Sequence, residues 1–158
     1  MGKRPMFVGP IGCGKTSLIQ RLTDQTYHYN KTQSIEYIQD YIDTPGEFIE
    51  HRRMYTNIAT TGMEASVIVI IQAVNDSRLI FPEGFSTMFS SPAIGVVNKI
   101  DLIDNDTKSA DFQRVAGQLK RAGATTIVPV SALKATNIDQ LSQQIHAHLT
   151  SKDWDVKQ

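Results

Sequence analysis

Gly9-Pro10-Ile11-Gly12-Cys13-Gly14-Lys15-Thr16 stands directly after a short apolar run and directly before a stretch of helical period. The octapeptide meets G-x-x-x-x-G-K-[ST] at each fixed position, in the strand–loop–helix setting where that pattern binds phosphate. Glycine lets a backbone curl around an anion without Cβ clashes. The N–H groups so exposed form a nest, and the start of the next helix adds positive potential. Gly9, Gly12, Cys13 and Gly14 are therefore candidate nucleotide-binding residues. Lys15 is expected to bridge the β- and γ-phosphates, the Thr16 hydroxyl to ligate Mg²⁺, and Ser17 to help hold the α-phosphate. The competing explanation is a tight glycine-rich turn with no ligand.

Outward from this loop, short apolar β-branched runs alternate with helical stretches, the pattern of a parallel sheet flanked by helices. Strands are predicted over residues 5–8, 40–43, 66–72, 93–97 and 126–130. The run 66–72 is apolar at nearly every position, as a strand covered on both faces requires. Helices are predicted from Lys15 with Leu18, Ile19 and Leu22 inward, over 51–63, and from about Lys108 with Phe112, Val115, Ala116 and Leu119 inward and Gly123 as its cap. The last carries Ile138, Leu141, Ile145 and Leu149, with Asn137 as N-cap. Between the strands at 66–72 and 93–97 only a short helix near 85–89 is expected. One domain spans residues 1–158.

Composition narrows the function classes. The 158 residues are 41% hydrophobic and 20% charged, with 16 basic and 16 acidic side chains. That balance carries no electrostatic footprint for nucleic acid or an anionic membrane. The lone Cys13 allows no intrachain disulfide and fits a reducing compartment. The longest apolar run, 67–71, is too short to cross a membrane. A cytoplasmic protein is expected.

The remaining chemistry lies in three further stretches. Tyr41-Ile42-Asp43-Thr44-Pro45-Gly46 ends a strand in an aspartate, which is expected to hold Mg²⁺ through water, while Gly46 offers an N–H to the γ-phosphate. Thr32, in Lys31-Thr32-Gln33, is favoured over Thr23 and Thr26 as the threonine that closes over Mg²⁺. Asn98-Lys99-Ile100-Asp101 exits a strand with a carboxylate able to accept from guanine N1–H and the 2-amino group together, a donor pair adenine lacks. Asn98 is expected to brace the loop and reach N7, and the Lys99 stem to cover the base. Ser131-Ala132-Leu133 follows the next strand, with the Ala132 N–H aimed at guanine O6. The predicted ligands are thus GTP or GDP with Mg²⁺.

Taken in this order, the motifs resemble those of Ras-like, translation-factor-class GTPases, which implies an α/β, three-layer P-loop NTPase fold, the small G-domain. More narrowly, Phe7-Val8-Gly9-Pro10, Lys31-Thr32-Gln33, Glu36-Tyr37 and Ile42-Asp43-Thr44-Pro45-Gly46-Glu47-Phe48 resemble the EutP/PduV family. That resemblance implies a GTPase-like protein linked to bacterial ethanolamine or propanediol utilisation, with a microcompartment shell or enzyme as partner. An acetate-kinase activity has also been attributed to the family. A GTP-hydrolysing switch is the leading expectation, and its rivals are such a kinase and a nucleotide-binding scaffold without turnover.

Lys15, Thr32, Gly46 and Glu47 are the catalytic candidates. Glu47 occupies the place where many Ras-like proteins have a water-orienting glutamine; a carboxylate cannot donate as an amide does. It is either a base with a shifted pKa or a solvated loop acid, and slow unassisted turnover is expected. Gly12 stands where potassium-stimulated relatives have asparagine, so potassium activation is not expected. No arginine is identified as an internal finger, and Arg52 and Arg53 are read as solvent-facing. Cys13 is read as a small filler, although its neighbours favour a thiolate. Tyr27 is a candidate for the guanine edge, His146 and His148 are read as surface residues, and Trp154 has no assigned role.

Overall fold

The computed structural model describes residues 4–29 and 41–157, and the side chains among them outside 25–29 and 149–157. Strands β1 (Arg4–Val8), β2 (Ile42–Asp43), β3 (Ala65–Ala73), β4 (Ala93–Asn98) and β5 (Ala124–Pro129) form one sheet in the order β2-β1-β3-β4-β5. Every pairing is parallel. The helices are α1 (Lys15–Tyr29), α2 (Gly46–Glu50), α3 (Tyr55–Gly62), α4 (Ala110–Ala122) and α5 (Ile138–Lys157). β2 lies on one side of β1 and β3 on the other. The loop after β1 therefore opens where the strand order reverses, the place at which such sheets bind ligands. The glycine-rich octapeptide is that loop.

The period of two along each strand builds two cores. Met6 and Val8 join Ile68 and Ile70 on one face, closed by Ile58 of α3 and by Phe112, Val115 and Leu119 of α4. Phe7 joins Val67, Val69 and Ile71 on the other face, closed by Leu18 and Leu22 of α1 and by Leu141 and Ile145 of α5. β3 is buried at every position, as its unbroken apolar sequence requires. Burying each such side chain contributes about 1.5–3 kcal/mol, so the sheet is a rigid base for the loops at its carboxyl edge.

Several boundaries differ from the sequence reading. The helix predicted over 51–63 is an extended His51 (φ −125°, ψ 118°), a 3₁₀ turn at Arg52–Met54 and then α3, and the short α2 before it is not among the predicted elements. Ile49 and Ile58 explain the break. Nine residues apart on a continuous helix they would point to opposite sides, yet both are buried in the same core. Of the strand predicted at 40–43, Ile42 and Asp43 pair with β1, whereas Tyr41 stacks on Phe7 at 5.6 Å between ring centroids. β5 begins at Ala124 rather than Thr126. α4 begins two residues later than predicted, because the Ser109 hydroxyl accepts the Phe112 N–H and caps it. Gly123 ends α4 with φ +119°, as predicted. Asn137 stands at the N-cap position, its carbonyl accepting the Leu141 N–H at 3.1 Å, but with φ +59° its side-chain amide turns back to donate to the Pro129 carbonyl at 2.9 Å. The short helix near 85–89 is a 3₁₀ turn at Phe85–Met88.

Candidate functional site

The phosphate loop leaves β1 at Gly9 and turns into α1 at Lys15. Gly14 has φ +88°, a conformation an L side chain rarely adopts, and a Cβ there would strike the Asn98 amide. Gly12, Thr16 and Ser17 are exposed at the mouth of the loop, with Thr16 and Ser17 in the first turn of α1. Gly9 backs onto Cys13 and Ile71, and Cys13 is buried behind the loop. Burial pushes the Cys13 thiol up to about 11, outweighing the opposite pull of Lys15 and Lys99. The thiol is a packing group rather than a nucleophile.

Lys15 is 9% exposed and its Nζ donates to Asp43 Oδ1. β2 delivers Asp43 to this point. The Thr44 N–H and hydroxyl both donate to the Phe7 carbonyl, at 3.3 and 2.8 Å, so the end of β2 is clamped to β1 beside the loop. Gly46 begins α2 in close approach: a Cβ there would lie 2.7 Å from Ile11 N. Glu47 is exposed in the first turn of α2. Thr32 lies outside the described residues, as does the side chain of Tyr27.

The base side is tied directly to the phosphate side. Asn98 is buried at the end of β4. Its amide donates to the Cys13 carbonyl at 2.9 Å, and its oxygen accepts from the N–H groups of Lys99 (2.8 Å) and Ala132 (3.1 Å). Bracing by Asn98 is thus present, and the Ala132 N–H faces the Asn98 oxygen. Lys99 adopts φ +65° and donates from Nζ to the Gly12 carbonyl at 2.8 Å. Asn98 and Lys99 thereby fix the carbonyls of Cys13 and Gly12, while the Cys13 N–H donates to the Pro10 carbonyl at 3.2 Å within the loop. The buried Ser131 hydroxyl donates to Asp101 Oδ1 at 2.7 Å and accepts the Lys134 N–H at 3.1 Å. Leu133 is exposed.

Three side chains in this neighbourhood escape sequence reasoning. Arg21 of α1 donates to the carbonyls of Ala132 and Leu133 at 2.8 and 3.0 Å. Glu50 of α2 accepts the Ile11 N–H at 2.7 Å. Arg78 lies 3.6 Å from Glu50 and forks onto Asp76, whose carboxyl that guanidinium holds below the usual range. The buried Gln72 of β3 donates to the carbonyls of Asp76 and Arg78 and so shapes their loop. The contacts of Arg21 with the 131–133 turn, of Glu50 with Ile11 and of Arg78 with Glu50 join residues far apart in sequence, and no local pattern announces them. Arg52 and Arg53 are exposed, as read. His146 and His148 are half-buried rather than on the open surface, each with Nδ1 against a backbone carbonyl one turn back.

A family model described as "Ethanolamine utilisation - propanediol utilisation" (PduV-EutP) matches residues 2–147. The chain belongs to the PduV-EutP family. It is 37% identical over 139 residues to the propanediol utilization protein PduV of Citrobacter freundii, covering 88% of this chain and 90% of that protein. It is 36% identical over 107 residues to a "Probable acetate kinase EutP" of Salmonella typhimurium, covering 66% and 67% of the two chains. A solved structure described as a "probable GTP-binding protein engB" superimposes with a TM-score of 0.62 at 19% identity, over 94% of this chain and 99% of that one. This PduV-EutP member therefore has the P-loop NTPase fold of small G-domains. Among the described residues no helix is long and apolar enough to cross a membrane.

Proposed function

We propose that this PduV-EutP chain is a Mg²⁺-dependent GTP-binding switch serving ethanolamine or propanediol utilisation, and that it hydrolyses GTP slowly. The tie between the two loops carries this reading. Asn98 and Lys99 bond to Cys13 and Gly12 while Ser131 sets Asp101. A protein that bound phosphate alone would need only the glycine-rich loop. Here a carboxylate suited to guanine is held in register with that loop. An acceptor left unpaired by adenine makes such a site selective.

Thr16 and Asp43 fit a magnesium ion. Both offer hard oxygens open to solvent, and the described residues contain no cluster of three His, Cys, Asp or Glu side chains that would form an all-protein cage. Magnesium keeps waters and binds through one or two protein groups plus phosphate oxygens. When bound, the ion would neutralise charge that builds on the phosphates. Lys15 would exchange the Asp43 carboxylate for β- and γ-phosphate oxygens. Gly46 would offer its N–H to the γ-phosphate, with Thr32 closing from the other loop. Loss of the γ-phosphate would release both loops, and a shell or enzyme partner in the cytoplasm would read the change.

Glu47 is exposed and accepts without donating, so it orients water poorly. Unassisted turnover is on the order of 10⁻³ s⁻¹ or slower. The test is phosphate release from GTP and ATP by pure protein, with acetate and hydroxylamine present in parallel. GTP-selective slow release supports the switch. Acetyl hydroxamate formed from ATP would instead establish a carboxylate kinase, and GTP binding with no release would leave a scaffold.

A further inference from the structure

Arg21 lies on α1, between the buried Leu18 and Leu22 that fix the helix to the sheet, and its own side chain is exposed. Its planar guanidinium donates to two consecutive carbonyls, from Nε to Ala132 at 2.8 Å and from Nη2 to Leu133 at 3.0 Å. Ser131 and Ala132 are buried at 0% and 5% exposure while Leu133 is 71% exposed, so Arg21 ties the turn where it leaves the core. The peptide that carries the Ala132 N–H is held at its other end, where the Ser131 carbonyl accepts the Thr136 N–H at 2.9 Å. The direction of the Ala132 N–H is therefore set from Ser131 on one side and from Arg21 on the other, and it now donates to Asn98 Oδ1 at 3.1 Å, a bond that guanine O6 would share or replace. Lysine cannot substitute in kind, because it is a point charge rather than a two-pronged donor.

We propose that Arg21 is a specificity-positioning residue: it holds the Ser131-Ala132-Leu133 turn so that the Ala132 N–H meets the O6 acceptor of a guanine base. This rests on the guanine-nucleotide reading above. Arg21 acts through the turn and does not touch the base. The donor it aims rewards O6 of guanine or hypoxanthine and opposes the 6-amino donor of adenine. Asp101 reads a different edge, the N1–H and 2-amino group. The two contributions are thus separable by ligand.

The experiment is competition of GTP, ITP and ATP against labelled GDP for the full chain and for Arg21→Ala and Arg21→Lys. The wild type prefers GTP over ATP. Arg21→Ala lowers GTP and ITP affinity together by about tenfold, the scale of a lost charge-assisted hydrogen bond, and leaves ATP unchanged. The GTP-to-ATP ratio falls while the GTP-to-ITP ratio holds. Arg21→Lys repeats this pattern, because charge without the fork does not restore the turn. Equal loss of all three nucleotides would overturn the proposal, since it reports a general defect of α1. Full recovery in Arg21→Lys would also overturn it, by assigning the effect to charge. A wild type without preference between GTP and ATP would refute the guanine reading itself, a result distinct from either.

Discussion

The Glu50 carboxylate accepts the N–H of Ile11, 39 residues away, at 2.7 Å and so places an acid on the edge of the phosphate loop. Gly46, at the other end of the same short helix, also touches Ile11. α2 therefore rests on the loop at both ends. Arg78 stands 3.6 Å behind Glu50 and is itself forked onto Asp76. The acid is thereby steadied on the side where Gly46 is proposed to meet a γ-phosphate.

Such an acid opposes a third phosphate more than it opposes two. Glu50→Gln keeps an oxygen for the Ile11 N–H and removes the charge. It should raise GTP affinity relative to GDP by about fivefold, the ratio equivalent to roughly 1 kcal/mol for charges a few ångströms apart in a watery setting. Competition assays with both nucleotides check this, and the gain should shrink at high salt. An equal change for GTP and GDP would show that Glu50 does not sense the third phosphate.

Asp43 is bonded to Lys15 and is 45% exposed, an open carboxylate beside the Thr16 end of α1. In Asp43→Ala, added Mg²⁺ should no longer slow nucleotide release, whereas release in EDTA should match the wild type within about twofold. Stopped-flow release of a fluorescent GDP measures both rates. A variant that keeps its full response to Mg²⁺ would remove Asp43 from the metal site.

Cys13 has its thiol pKa raised from 9.0 to about 11 by burial. Two units mean about a hundredfold less thiolate than an ordinary cysteine at neutral pH, so alkylation of the folded protein should be slower by at least that factor. The folded state favours the neutral thiol, so this contribution is complete below the unfolded value near 9 and is lost as pH rises through about 11. Alkylation kinetics in native and denaturing buffer test the first point, and thermal midpoints from pH 8 to 11 test the second.

Much of this molecule was legible because its signals are local. Gly12 and Gly14 have positive φ, and that backbone demand shows directly as glycine in the sequence. The all-apolar β3 reads as a strand covered on both faces. Ser109, by contrast, caps α4 by accepting the Phe112 N–H, whereas the apolar period alone placed the start near Lys108. The break at His51 depends on Ile49 and Ile58 reaching one core, which no window shorter than both helices shows. Asn137 offers the side chain of a cap, and its positive φ turns that side chain elsewhere. Arg21, Glu50 and Arg78 owe their partners to the meeting of loops at the carboxyl edge of the sheet, a product of the parallel topology rather than of any motif.

The most direct test of guanine recognition is nucleotide competition with Asp101→Asn. Asp101 accepts the Ser131 hydroxyl through Oδ1, and the carboxylate is proposed to accept from guanine N1–H and the 2-amino group. An asparagine amide donates where the carboxylate accepted, which suits the 2-oxo group of xanthine. Wild type should prefer GTP strongly over ATP and XTP, and Asp101→Asn should lose GTP affinity by about a hundredfold or more while gaining XTP. GTP and ATP binding equally well, with neither altered by Asp101→Asn, would contradict guanine recognition.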